Sequence, residues 1–254
     1  MFLLQLEATI TFVFGLLFGS FLNVVAHRYP LGESIVFPGS HCPHCQRMLS
    51  PWELVPVFSW LFLRGRCHGC HKLVSIRYPL FELATGALFG MTVFLFPSWP
   101  VRGVWIFFWF LLMMIVATDI SSMRVPNVLS LPGAAICLLA STWVGMQPLW
   151  HAVLGAATAY LLLLFIHIVS RGNMGMGDVK LFLSIGVMLG PVGSLEALVA
   201  ASFSGVVIGL ILRLSKLLKR RAYMPFVPHI AVGVILVACY GQRFTAWYIS
   251  QFLR

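Results

Sequence analysis

Apolar residues fill this chain in long blocks, and polar residues are confined to the gaps between them. Eight blocks can be drawn, over 2–26, 79–97, 101–118, 127–147, 149–170, 178–190, 193–214 and 226–249. A helix that crosses a bilayer needs about 20 mainly apolar residues. The pattern therefore predicts an all-α polytopic membrane protein with about eight transmembrane helices. Blocks 101–118 and 178–190 are short for a span, and seven spans would remain if 178–214 were one broken helix. Pro97, Pro100, Pro126, Pro148, Pro191 and Pro225 fall at block edges, as expected of a residue that cannot continue a helix.

Composition supports the same class. Hydrophobic residues make up 60% of the chain and charged residues 9%, whereas charge runs near a quarter in soluble domains. The mean hydropathy is +0.94. Block 2–26 lacks a basic leading region and a small-residue cleavage site, so it is expected to remain as the first span. The one sizeable polar stretch, 27–78, carries five prolines and four cysteines. The expected organisation is a first helix (1–26), a polar loop domain (27–78) and a membrane domain (79–254). No internal repeat or low-complexity tract stands out.

The net charge of +10 invites a nucleic-acid reading, but the basic residues are spread over several connecting segments and fit topology better. With eight spans, segments 27–78, 119–126, 171–177 and 215–225 share one side of the membrane. With the adjacent helix ends that side collects fourteen Lys and Arg residues, and the other has only Arg102, Arg243 and Arg254. The positive-inside rule makes the rich side cytoplasmic and puts both termini outside. The run Lys216-Leu217-Leu218-Lys219-Arg220-Arg221 reads as a positive-inside anchor, with anionic lipid as an alternative ligand.

Cys42-Pro43-His44-Cys45 and Cys67-His68-Gly69-Cys70 are two C-x-x-C turns separated by 21 residues. Each such turn aims two thiolates at one metal, and two complete a tetrahedral four-cysteine zinc site. Redox chemistry or free thiols are the alternatives, disulfides being disfavoured in a reducing cytoplasm. Closed coordination by four thiolates leaves no position for water, which makes the expected metal structural. His41, His44, His68 and His71 stand beside the thiols as substitute ligands or shields. Cys137 and Cys239, alone in apolar blocks, read as small packing residues.

The chain contains only two aspartates. Asp119 closes one block, in Thr118-Asp119-Ile120-Ser121, and Asp178 opens another, in Gly175-Met176-Gly177-Asp178-Val179-Lys180. Both fall on the cytoplasmic side. Ionisable groups at membrane depth are costly and point to function, and two carboxyls brought together make an acid–base dyad sharing one proton. The competing structural readings are a water-facing helix end for Asp119 and an N-cap for Asp178 on a helix starting at Val179. Gly172, Gly175 and Gly177 before Asp178 would let an extended peptide backbone approach.

With these motifs the sequence resembles the bacterial prepilin (type IV leader) peptidases over nearly its whole length. Gly19-Ser20-Phe21-Leu22-Asn23-Val24-Val25-Ala26-His27-Arg28 resembles the first-helix motif of that family, the paired C-x-x-C turns its zinc loop, and Arg77-Tyr78-Pro79-Leu80-Phe81-Glu82-Leu83 the start of its second span. Gly175-x-Gly177-Asp178-x-Lys180 matches G-x-G-D, and Pro225-Phe226-Val227-Pro228-His229 is similar to the C-terminal motif, with Val227 in place of the usual Gly. Ser121 and Asn127 stand where many members carry further acids.

The resemblance implies a membrane aspartic endopeptidase with Asp119 and Asp178 as catalytic residues. Its partners would be type IV prepilins or pseudopilins of pilus, competence or secretion systems. Their basic leader would be cut at the cytoplasmic face of the inner membrane, typically between a Gly and the mature Phe. It also implies N-methylation of the new amino terminus from S-adenosylmethionine, with Gly65 suspected in that step.

The helix-end positions suggest Asp178 as the resting base, since a helix N-terminus favours an anion and a C-terminus disfavours it. Glu82 is read as receiving the substrate amino terminus or pairing with Arg77, and Lys180 as stabilising Asp178 or reaching for the interface. Glu7, Glu33, Glu53 and Glu196 carry no usable signal. A transporter would place its acids near the midplane, a zinc-loop scaffold leaves the aspartates unexplained, and a presenilin-type protease leaves the zinc loop unexplained. No strand–glycine-loop–helix fingerprint marks a methyl-donor site.

Overall fold

A computed structural model describes residues 1–171, 174–216 and 224–252. Eight α-helices follow one another: α1 (Phe2–Arg28), the short α2 (Phe58–Phe62), α3 (Arg77–Leu95), α4 (Trp99–Ser122), α5 (Asn127–Trp143), α6 (Leu149–Val169), α7 (Met176–Leu214) and α8 (Val227–Phe252). Five of them are long and apolar enough to cross a membrane. The bent pair Val227–Gly241 and Arg243–Gln251 would make a sixth, and α5 is a shorter apolar helix. The chain forms two compact units, Met1–Ser122 and Met123–Arg254.

In the first unit α1 packs on α3, and α4 packs against both. Glycine makes the first contact close: a Cβ on Gly15 would lie 2.8 Å from the Gly86 Cα, and one on Gly19 2.7 Å from the Glu82 Cα. Membrane helices gain their association from this kind of close backbone packing, since lipid and leucine are equally apolar. Phe108, Trp109, Trp105 and Phe89 fill the interior, with Trp105 stacked on Phe96. The buried Arg102 at the start of α4 donates to the Phe96 carbonyl at 2.6 Å and pairs with Glu7 of α1 at 2.9 Å. An arginine that read only as an outer charge is thus paired and hydrogen-bonded where it is buried.

In the second unit α7 packs on α5, α6 and α8. Blocks 178–190 and 193–214, drawn as separate segments with one broken helix as the alternative, are one helical run joined across a kink. Gly190 alone inside it is non-helical, with φ 73° and ψ −176°. This left-handed φ suits glycine, and a Cβ there would meet the His151 ring at 2.5 Å. Pro191 bends the run without ending it. Block 101–118 is also longer than expected, because α4 continues to Ser122 and takes Asp119 into its last turn.

Candidate active site and metal centre

Asp119 belongs to the first unit, three residues before the end of α4, and is 6% exposed. The hydroxyls of Ser121 and Ser122 donate to the Thr118 carbonyl at 3.0 and 2.8 Å, so the serines around Asp119 are turned onto their own helix. Asp178 belongs to the second unit and is 9% exposed. The helix there starts at Met176 with Gly175 as N-cap. Asp178 is therefore not the cap but the third helical residue, in the turn where exposed N–H groups favour an anion.

The glycines beside Asp178 have local tasks. A Cβ on Gly175 would lie 3.3 Å from the Asp178 Oδ2, and one on Gly177 2.5 Å from the Val125 Cβ. Val125, rather than an approaching peptide, fills the space at Gly177; Gly172 lies outside the described residues. Lys180 is directed elsewhere, since its Nζ donates to the Asn127 Oδ1 at 2.8 Å. His229 of the C-terminal motif is buried, with its Nδ1 3.5 Å from the Ser204 hydroxyl.

The four cysteines come together within the first unit. Their sulfurs all lie within 4.8 Å of one another, with Cys42–Cys70 at 3.9 Å and Cys45–Cys67 at 4.0 Å. Four sulfurs around one zinc at about 2.3 Å would stand roughly 3.8 Å apart, whereas a disulfide requires about 2.05 Å. The spacing thus fits a tetrahedral metal and no bridge. The cluster contains none of the neighbouring histidines: the His41 Nδ1 lies 3.2 Å from the Gly39 carbonyl, and His68 stands edge-on to Trp52.

The two turns are built alike, a structural repeat that the sequence did not suggest. The Cys42 N–H donates to the Arg47 carbonyl as that of Cys67 does to Lys72, and the Gln46 N–H donates to Cys42 as that of His71 does to Cys67. Gln46 and His71 both take positive φ, and each turn is closed by a β-bridge, His41 to Met48 and Arg66 to Leu73. The Cys70 backbone N–H draws the Cys67 thiol down to about 6. Cys70 accepts from the Lys72 N–H, yet burial and its fellow thiols push it up to about 11. Four thiols this close cannot all ionise cheaply without a cation among them.

Arg47 ties the turns together. Its guanidinium reaches the Cys67 sulfur, its side chain lies on Gly69, and its Nη2 donates to the Glu53 Oε1 at 2.6 Å. The other Glu53 oxygen accepts from the Ser50 N–H and hydroxyl. Burial raises the Glu53 carboxyl, but the bonds from Arg47 and Ser50 outweigh it and hold the group at about 2.

Above this cluster a cavity of about 410 Å³ runs between α1, the loop and the start of α3. Residues 13–96 match the bacterial peptidase A24 N-terminal domain, and residues 105–210 match the type IV leader peptidase family. The prepilin leader peptidase/N-methyltransferase of Bacillus subtilis is 38% identical over 262 residues, covering 96% of this chain and 99% of that protein. The protein of the same name from Aeromonas hydrophila is 32% identical, covering 96% and 94%. That from Stutzerimonas stutzeri is 33% identical, covering 95% and 93%. This chain belongs to the type IV leader peptidase family. No solved structure matches it.

In this family member the first match holds all four clustered cysteines, and the second holds both aspartates. Glu82 lies in the first match as well; its Oε2 accepts the Val57 N–H at 2.7 Å, and no ion pair to Arg77 occurs among the described residues. Gly65 has φ 67°, and a Cβ there would meet the Trp60 ring at 2.7 Å. The Trp60 indole N–H donates to the Val74 carbonyl. Sequence reading missed Glu53 and Arg47, although Ser50-Pro51-Trp52-Glu53 carries the signal of a capping box with proline at the first helical position. The basic run's Leu217–Arg221 lies outside the described residues.

Proposed function

We infer that this leader peptidase family member is a membrane aspartic endopeptidase. It removes the leader of type IV prepilins or pseudopilins at the cytoplasmic face of the inner membrane, then N-methylates the new amino terminus from S-adenosylmethionine. The observation that carries the reading is that the only two aspartates of a family member are both buried within one turn of a helix end. Among the described residues no serine, cysteine or histidine of the second match has comparable support as a nucleophile.

In the hydrolysis one carboxylate takes a proton from water as the oxygen attacks the scissile carbonyl. The other carboxyl, protonated, donates to the carbonyl oxygen. The tetrahedral species collapses as the C–N bond breaks and the amine leaves with a proton, so no covalent enzyme intermediate forms. Asp178, in the first turn of α7, serves as the base and Asp119, in the last turn of α4, as the acid.

Cys42, Cys45, Cys67 and Cys70 hold a structural zinc, which fixes the 27–78 loop and supplies no attacking water. The basic bias puts that loop in the cytoplasm. Single cysteines introduced at Ser34 or Ser75 should stay protected from an impermeant reagent in intact cells, and labelling from outside would refute the orientation. The activity is tested by incubating the purified chain in detergent with a prepilin-like peptide and reading the products by mass spectrometry. A shortened mature peptide, part of it 14 mass units heavier, is expected, and an intact peptide would refute the reading.

A further inference from the structure

One buried polar atom of the loop has no acceptor among the described residues, the Nε of Arg47. The rest of that guanidinium is engaged. Nη1 donates to the Met48 carbonyl at 3.2 Å and Nη2 to the buried Glu53 at 2.6 Å. A buried N–H left without an acceptor is costly, so the direction in which this one is held carries information.

Two observations give that direction. The guanidinium reaches the Cys67 sulfur, and a Cβ on Gly69, between Cys67 and Cys70, would lie 2.9 Å from the Arg47 Nε. Gly69 does not take a positive φ, so what it provides is room for Arg47 and not backbone freedom. A thiol sulfur is a weak acceptor, whereas a thiolate is charged and accepts strongly. The likeness of the two turns sharpens the point. Arg47 and Lys72 hold matching places, each carbonyl accepting from the first cysteine of its turn. Lys72 is nevertheless exposed, and Arg47 crosses to the opposite turn. Four thiolates around one divalent zinc leave a net negative charge, which a cation set among them offsets.

We propose that Arg47 is a positioning residue of the metal centre: its Nε–H donates to the Cys67 thiolate across the two turns, Gly69 leaves room for it, and this bond sets how firmly the metal is held. The proposal rests on the structural-zinc reading above. The bond offsets part of the excess charge and holds the second turn against the first. Glu53 fixes the guanidinium from its far side and is itself held by the Ser50 N–H and hydroxyl. Outer hydrogen bonds of this kind typically change metal affinity roughly ten- to a hundredfold.

The test uses the full chain in detergent, loaded with zinc or with cobalt(II), whose sulfur-to-metal charge-transfer band reports on the thiolates. Arg47→Gln should bind zinc roughly ten- to a hundredfold more weakly in competition with a chelator. Its cobalt band should move to longer wavelength, because a sulfur relieved of a hydrogen bond gives up charge more easily. Gly69→Ala keeps the arginine but pushes it off the sulfur, so it should move the band the same way, and it serves if Arg47→Gln is too unstable to load. Glu53→Gln keeps an acceptor for Nη2; it loosens the loop without freeing the sulfur and should leave the band in place. An unmoved band in a loaded Arg47→Gln or Gly69→Ala, or parental zinc affinity in both, would overturn the proposal. So would an equal shift in Glu53→Gln, the mark of general loosening. A parent that takes up neither metal refutes the zinc reading and the proposal with it, whereas a loaded parent with unaffected variants refutes the proposal alone.

Discussion

Gln147 supplies the hydrogen bond that Pro191 cannot. Proline has no N–H, so the carbonyl four residues before it, that of Val187, is left without its helical donor. The Gln147 Nε2 donates to that carbonyl from the α5–α6 connection, and its Oε1 is 2.8 Å from the His151 Nδ1. The same His151 ring lies against Gly190. Gln147→Leu should therefore lower stability by about 1–2 kcal/mol by leaving a carbonyl unpaired. An unfolding midpoint in detergent equal to the parent's would show that the bond is idle.

Asp119→Asn and Asp178→Asn should each abolish leader cleavage while the protein still inserts in the membrane. Asn preserves size and polarity but cannot take or share a proton, so the loss is at least ~10²–10⁴-fold. Purely structural roles at these helix ends would cost only about 0.5–2 kcal/mol and leave turnover intact. Normal cleavage by either correctly inserted variant would falsify the aspartyl mechanism.

One zinc per chain is expected, and Cys45→Ser or Cys67→Ser should reduce it. Because metal binding and local folding are coupled, both variants should also become more susceptible to proteolysis within 27–78. Metal analysis is the decisive measurement, and parental zinc in both variants would rule out the site.

Glu53 gives the loop a defined response to acid. Its folded value of about 2 lies below the ordinary 4.5, so its contribution is complete above about 4.5 and is lost as pH falls towards 2. Glu53→Gln should unfold earlier than the parent at pH 7, by the same margin at pH 5, and the margin should close only below about 4.5. Parallel melts across that range check the sign; closure already between pH 7 and 5 would contradict it.

Gly65→Ser should lower the methylated fraction of the cleaved product more than the amount cleaved. The added side chain meets the Trp60 ring, and both lie in the unit that lacks Asp178. Equal losses in the two steps, read in one mass spectrum, would argue for general damage to the loop.

Much of this was legible in the chain. Apolar blocks became helices because hydrocarbon leaves the backbone no other partner, and the cysteine spacing foretold the cluster because a C-x-x-C turn places two sulfurs on one side. The two aspartates stood out by scarcity alone. The join at Gly190 stood only as the alternative of one broken helix, since Pro191 reads as a stop unless Gln147, forty-four residues earlier, is known to fill the gap. The likeness of the two turns was hidden too, because it lies in backbone bonds between Cys42 and Arg47 and between Cys67 and Lys72 rather than in shared side chains. Arg102 read as a lone outer charge because its partner, Glu7, lies on another helix.

The break at Gly190 also sets a depth. From Met176 to Leu189 an α-helix climbs roughly 21 Å, well short of the roughly 30 Å of hydrocarbon in an ordinary bilayer. Counted from Asp178 at one boundary, Gly190 is reached after about 18 Å, roughly 12 Å short of the other. The seventeen residues of α5 climb only about 26 Å, so α5, which leads to the connection that delivers Gln147, is also shorter than that hydrocarbon thickness. A unit with helices this short between its breaks is sensitive to hydrophobic mismatch, and bilayer thickness becomes a variable to which this enzyme should respond.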